Sequence, residues 1–332
     1  MHHLNMTQRM LVVGNLRGQS IKQENLREIT IERNFLTQSY LLRLNRDLCN
    51  GCGICFEVCP HEAIKMLPAT VHDGHLVEKP VIGFDVDSCV LCGECAVLCP
   101  LNALTMEVGG EETATIVENE AFPVLLKEVT VTKEKCSPEC GIKCQEECPT
   151  EALKVSTKLS ENGETVEITD VQIDESSCIY CKRCELSCTQ DAIIVQKPFM
   201  GRIELHADVC PEGCDACVDV CSSHAIRIEN GKPVVSDQFC IFCSACETVC
   251  PNQAIKVYRD WIFHTDVKAA AWLTALNKLT SPETVAKELR IKSGKRRADL
   301  VHARTISNHS NSIPTPCTKA EEFIKILNNC KR

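Results

Sequence analysis

An α+β chain of three tandem, cysteine-stapled modules, with a strand-forming N-terminal extension and a helical C-terminal tail, follows from three features of the sequence. Twenty-four of the 26 cysteines among 332 residues fall into six groups of four. Short apolar segments of alternating pattern lie between the groups, as half-buried strands require. After Tyr258 the composition turns helical, as in DVKAAAWLTALNKL. Aromatic residues make up only 4% of the chain, so few large side chains are available to fill a core, and metal or disulfide must hold it together instead.

Residues 1–44 carry alternating pieces such as LVVGNL and ITIERNF without any ligand set, and read as an extension that forms strands. Residues 45–112 form the first module, with Cys49, Cys52, Cys55, Cys59 and then Cys89, Cys92, Cys95, Cys99, each group spaced C-x2-C-x2-C-x3-C-P. Residues 109–135 read as a linker followed by a strand. The second module, 128–198, holds Cys136, Cys140, Cys144, Cys148 and Cys178, Cys181, Cys184, Cys188. Between these groups two alternating stretches flank Asn162-Gly163, a strong hairpin signal. The third module, 199–260, holds Cys210, Cys214, Cys217, Cys221 and Cys240, Cys243, Cys246, Cys250. In the tail, 261–332, Ser281-Pro282-Glu283 signals a helix start and a basic run includes Arg290, Lys292, Lys295, Arg296 and Arg297. Cys317 and Cys330 fall outside the motif and read as inert thiols.

The spacing belongs to bacterial ferredoxins, so the modules are expected to be two-cluster ferredoxin-like units. Three thiolates on a tight loop each take one iron of a cubane, and the fourth, expected to open a helix, reaches the neighbouring cluster. Groups one and two are paired, then three and four, then five and six, because the two loosened motifs, CSPEC and CPEGC, each open a pair. The expected ligand sets are Cys49, Cys52, Cys55 with Cys99; Cys89, Cys92, Cys95 with Cys59; Cys136, Cys140, Cys144 with Cys188; Cys178, Cys181, Cys184 with Cys148; Cys210, Cys214, Cys217 with Cys250; and Cys240, Cys243, Cys246 with Cys221. Six [4Fe-4S] clusters result, and the same 24 cysteines are the iron ligands. Zinc knuckles come instead as separated C-x-x-C pairs, and disulfides need an oxidising compartment.

A short apolar step follows each group: HEAIKM, LNALTM, EALKV, DAIIV, SHAIRI and NQAIKV, each with a shared Ala-Ile or Ala-Leu. These steps read as the helix after a ferredoxin loop, started by Pro60, Pro100, Pro149 and Pro251. His61 and His224 follow fourth cysteines and read as surface residues. Lys182 and Arg183, between ligands of the fourth group, should raise the potential there.

Complete thiolate quartets leave no iron open to substrate, so the chain is expected to have no catalytic residues of its own and to carry electrons. Nucleotide and hydrolytic metal motifs are missing from the sequence. The net charge of −9 falls to about −21 when each of six clusters adds −2, which resists reduction and keeps potentials low. Acidity argues against nucleic acid. No secretory signal or run of eighteen apolar residues is present, which predicts a cytoplasmic protein without a membrane span.

The chain resembles polyferredoxins of methanogenic archaea. The stretch from Lys197 to Cys221 and the segment YRDWIFHTDVKAAAWLTALNKL are similar to the polyferredoxin component of formylmethanofuran dehydrogenase. That resemblance implies a wire carrying low-potential electrons to or from a molybdenum- or tungsten-pterin subunit that reduces carbon dioxide, in methanogenesis. It also implies assemblies with heterodisulfide reductase. The alternatives are the polyferredoxin of a nickel-iron hydrogenase and a structural or binding protein stapled by metal.

Overall fold

Isoleucine and leucine at every second position fold the segment before the first cysteine group into three antiparallel strands. They are β1 (Ser20–Glu24), β2 (Glu28–Asn34) and β3 (Ser39–Asn45), and they bury Ile29, Ile31, Leu42 and Leu44 on one face. The computed structural model describes residues 18–159, 166–267, 269, 270 and 272–281.

The first two cysteine groups are carried by α1 (Ile54–Val58), β4 (Ile64–Leu67), β5 (Thr70–His72), β6 (His75–Glu78), β7 (Val81–Phe84), α2 (Glu94–Val97), β8 (Leu104–Val108), β9 (Glu111–Glu112) and α3 (Thr115–Glu118). The next two lie on β10 (Glu128–Val131), α4 (Lys143–Glu146), β11 (Leu153–Leu159), β12 (Val166–Ile173), α5 (Arg183–Ser187) and β13 (Ile193–Gln196). The last two lie on β14 (Phe199–Leu205), α6 (Ala216–Asp219), β15 (Ile226–Glu229), β16 (Lys232–Val235), α7 (Ala245–Val249) and β17 (Ile255–Ile262), followed by α8 (Leu273–Thr280).

One pairing pattern occurs three times. The strand before the first group of a pair joins the strand after the second group: β3 with β8, β10 with β13, β14 with β17. The two strands between the groups join each other: β4 with β7, β11 with β12, β15 with β16. All are antiparallel, and the helices pack as the couples α1·α2, α4·α5 and α6·α7. β1 and β2 extend the first outer pair into a five-stranded sheet of order β1-β2-β3-β8-β9, so residues 18–45 share a sheet with strands of the first module. The fold is strand-rich with several small helices.

The apolar steps after the fourth cysteines are strands, not the helices expected. Ile64–Leu67, Leu104–Val108, Leu153–Leu159, Ile193–Gln196, Ile226–Glu229 and Ile255–Ile262 are all extended. Their β-branched residues alternate between core and solvent, as at Ile193, Ile194, Val195 and Gln196, which read buried, exposed, buried, exposed. The helices lie earlier, each holding a third cysteine, and they stop at or just before the fourth. Proline disfavours the helical region for the residue before it, so Cys59 and Cys250 take extended ψ values of 112° and 111° and end α1 and α7.

The Asn162-Gly163 turn lies outside the described residues, while the strands flanking it pair from Leu153↔Ile173 to Leu159↔Val166. The basic run, Pro282, Cys317 and Cys330 also lie outside them. Strand β17 continues past Tyr258 to Ile262 before the helical segment appears as α8.

Three apolar clusters form the core. One joins Ile29, Ile31, Leu42 and Leu44 to Ile179, Cys181 and Ile241 from the fourth and sixth cysteine loops. A second joins Ile54, Val58 and Leu98 of the first cysteine pair to Phe199, Val220, Phe242 and Leu276. The third, around Leu153, Tyr180, Ile193 and Val195, is the smallest and supports the third and fourth groups. The hairpin β5–β6 reaches across to the fifth group, where the Gly74 carbonyl accepts from the amides of Asp215 and Ala216. His75 Nδ1 lies 2.8 Å from Asp215 Oδ1. Gly74 has φ +87°, and a Cβ there would meet Cys214 Cα at 2.8 Å, so only glycine fits.

Candidate iron–sulfur sites

The loop of each tightly spaced group is folded by two left-handed residues, one two positions after the first cysteine and one just after the second. They are Gly51 and Gly53, Leu91 and Gly93, Tyr180 and Lys182, Phe242 and Ser244, with φ between 52° and 90°. Alternating this conformation with ordinary backbone curls the chain, so that successive amides face inward, an arrangement suited to anions. Leucine, tyrosine, lysine, phenylalanine and serine adopt it at some cost, which the surrounding structure must hold in place.

A further left-handed residue stands three positions after every fourth cysteine: Glu62, Asn102, Glu151, Asp191, His224 and Gln253. The next residue is alanine in all six cases, each 1–2% exposed. The amides of Ala63, Ala192, Ala225 and Ala254 donate to the Sγ atoms of Cys59, Cys188, Cys221 and Cys250 at 3.2–3.3 Å. The shared Ala-Ile and Ala-Leu steps thus mark a tight turn that points an N–H at a thiol. Burial of these alanines leaves little room for a larger side chain. The sequence shows this signal as a repeat, but its role needs the turn geometry.

Three cavities show which thiols face one another. One is lined by Cys89, Cys92, Cys95 and Cys59. Another is lined by Cys178, Cys181, Cys184 and Cys148, and a third by Cys240, Cys243, Cys246 and Cys221. In each, three cysteines come from one group and the fourth from its neighbour. For the other groups the electrostatic neighbours tell the same: Cys99 acts on Cys49, Cys52 and Cys55, Cys188 on Cys136 and Cys144, and Cys250 on Cys210 and Cys217. None of the 24 is in a disulfide. Among the described residues, no three His, Cys, Asp or Glu side chains converge closely enough to hold a single ion.

Burial dominates the chemistry of these thiols. It drives Cys52, Cys55, Cys95 and Cys246 well above the usual thiol range, and lifts Cys184, Cys217 and Cys240 to about 12. Four thiols with so strong a preference for neutrality need a cationic core among them before they ionise, and iron supplies it. The residues present therefore fit an iron–sulfur cluster: soft sulfur donors, inward amides and a closed apolar surround.

The modules meet through their sites. Asn50, beside the first ligand loop, donates from Nδ2 to Cys243 Sγ at 3.6 Å and to Ser222 Oγ at 3.1 Å. Asn102 donates to the Cys178 carbonyl at 3.1 Å and accepts from Lys127, which lies in electrostatic range of both Cys99 and Cys178. Lys197 donates to the Cys240 carbonyl at 2.7 Å and lies in range of Cys181. Sequence reasoning passes over these residues, since an isolated Asn or Lys carries no pattern. For the fourth group the sequence points to Lys182 and Arg183. Arg183 lies in electrostatic range of Cys181 and also reaches the third module, donating to the Ser223 and His224 carbonyls at 2.9 and 2.6 Å, while Lys182 pairs with Glu185 at 3.2 Å. His61 and His224 are exposed, and His224 is engaged through its carbonyl.

Residues 48–103 and 209–255 each match the 4Fe-4S dicluster domain, and residues 171–194 match the 4Fe-4S binding domain. A chain of the formate dehydrogenase–heterodisulfide reductase–formylmethanofuran dehydrogenase complex from Methanospirillum hungatei superposes with a TM-score of 0.67 at 32% identity, covering 80% of this chain and 93% of that one. The chain belongs to the 4Fe-4S ferredoxin-domain proteins. It is also 30% identical over 92 residues to the putative oxidoreductase UacF of Escherichia coli (strain K12), a match covering 27% of this ferredoxin-domain chain and 12% of that protein. The ferredoxin domains account for the cysteine loops and turns just described, and their task is electron transfer. No helix among the described residues is long and apolar enough to cross a membrane.

Proposed function

We propose that the chain is a polyferredoxin wire holding six [4Fe-4S] clusters in three two-cluster modules, with each cluster bound by three cysteines of one group and the fourth of its partner. When bound, each cluster supplies reversible one-electron exchange at low potential. The chain's own residues fix the thiols, aim amide N–H groups at them and exclude water. The ligand sets are those expected from the sequence, and the three cavities, each closed by a cysteine from the neighbouring group, support them.

The wire carries electrons to or from the molybdenum or tungsten subunit of formylmethanofuran dehydrogenase, in the cytoplasm, with heterodisulfide reductase as a second partner. The observation that carries this reading is the match to a chain of a complex containing both enzymes, extending over 93% of that chain. The test is anaerobic purification of the tagged chain from its native cells, with molybdenum, tungsten and nickel quantified in the complex. Molybdenum or tungsten without nickel is expected. Nickel alone overturns the assignment in favour of a hydrogenase.

A further inference from the structure

Asn50, Lys197, Ser223 and Arg259 are the buried polar or charged residues among the described ones, with exposures of 2–7%. All four converge on one ligand set, that of Cys221, Cys240, Cys243 and Cys246. Lys197 Nζ donates to the carbonyls of Gln238 and Cys240 at 2.6 and 2.7 Å. Arg259 donates to the carbonyls of Phe242 and Cys243 at 2.8 and 3.0 Å, to Ser244 Oγ at 2.8 Å and to the Leu279 carbonyl at 3.4 Å. Ser223 Oγ lies 3.6 Å from Cys221 Sγ. Asn50 crosses from another module to donate to Cys243 Sγ, while its buried Oδ1 has no partner. Leaving a buried acceptor unmet is costly, so packing alone does not favour an amide there.

Other sites have cations as well, each less buried than Arg259 and Lys197: Arg183, in range of Cys181, has its side chain 16% exposed, and Lys197 itself is shared with Cys181. Lys79 reaches the Cys49 carbonyl, Arg33 the Cys89 carbonyl and Lys232 the Cys210 carbonyl, with Lys79 exposed and the other two half-buried. Lys127, between Cys99 and Cys178, is half-buried too. Solvent screens such charges far more than it screens a buried one. The carboxylates that oppose the buried pair are Glu57 in range of Arg259, with Glu247 in turn in range of Glu57, and Glu185 in range of Lys197. They offset part of the field and leave the N–H···S contact untouched.

Reduction adds negative charge to a site, so buried cations and donors to its sulfurs favour the reduced state. We propose that the Cys221, Cys240, Cys243 and Cys246 site has the most positive potential in the chain and is its electron-collecting point, with Asn50, Lys197 and Arg259 as the positioning residues that set it. The inference rests on the ligand sets proposed above. Its location suits the role: Cys52 of the first module and Cys181 of the second both border it, through Asn50 and Lys197, so electrons from all three modules drain inward to one place.

The test is an anaerobic redox titration of the full chain followed by electron paramagnetic resonance, with iron per chain measured in parallel. Cys246→Ser is expected to remove or alter the first signal to appear on reduction. Lys197→Met and Asn50→Ala are expected to keep the iron and make that same site about tenfold harder to reduce, roughly 59 mV for one electron. Lys197→Arg restores it. A first signal that survives Cys246→Ser overturns the proposal. So does a first signal unmoved by both Lys197→Met and Asn50→Ala at full iron content, a readout that holds even where Cys246→Ser does not fold. If Cys246→Ser removes the first signal and Cys221→Ser leaves it intact, the crossed ligand reading fails while the assignment to the Cys240 loop stands.

Discussion

Arg183→Ala should unfasten the second cysteine pair from the third. The guanidinium donates from Nε to the Ser223 carbonyl at 2.9 Å and from Nη2 to the His224 carbonyl at 2.6 Å, and it stacks 4.3 Å over the Phe239 ring. Each charge-assisted bond contributes about 1.5 kcal/mol at the low end, and the stacking about 0.5–1 kcal/mol. The pair with Glu147 at 2.9 Å adds little, because Glu147 is half exposed. Allowing for water reaching the freed carbonyls, the net loss is about 3 kcal/mol, roughly 100-fold in a local opening constant. Hydrogen exchange on the anaerobic holoprotein reads this directly, in peptides spanning residues 221–229, where Ala225 carries the N–H that faces Cys221. Arg183→Lys keeps the charge but not the fork, and should recover less than half of the protection. A change of less than about fivefold in Arg183→Ala would refute the clamp.

Cys99→Ala should disturb the site of Cys49, Cys52 and Cys55 more than that of Cys89, Cys92 and Cys95, seen as loss of one set of paramagnetic signals; the reverse rejects crossed ligation. Gly74→Val places a side chain against Cys214 Cα at a φ of +87°, and should destabilise the β5–β6 contact by about 1–3 kcal/mol, read as faster proteolysis near residues 210–221 with the fourth-group site unaffected. Ala254→Val crowds the turn that serves Cys250 and should cost about 1–3 kcal/mol, measured as faster iron release to a chelator, whereas an unchanged rate would mean the turn has slack. Stripping iron at neutral pH should leave neutral thiols and take up protons, because burial holds groups such as Cys184 and Cys217 at about 12; exchange protection should fall first around Leu153, Tyr180, Ile193 and Val195, the smallest core, and a uniform loss would contradict that order.

The cysteine spacing determined the chemistry by itself, because a cubane needs three thiolates on a short loop and a fourth from elsewhere, and few other centres accept that pattern. It also marked the six turns, through an alanine that is buried in every one. The order of helix and strand was less legible. HEAIKM or DAIIV is too short for its periodicity to separate the two, and strand won because each segment finds an antiparallel partner, close by for β15 with β16 and far along the chain for β13 with β10. Residues that act alone were invisible. Asn50, Lys197 and Arg259 belong to no repeat, and their convergence on Cys240 and Cys243 exists only because three modules pack with those loops facing inward. Ligand identity is written locally in the chain, whereas the surroundings that grade one site against another come from burial and long-range contact, which only the tertiary structure decides.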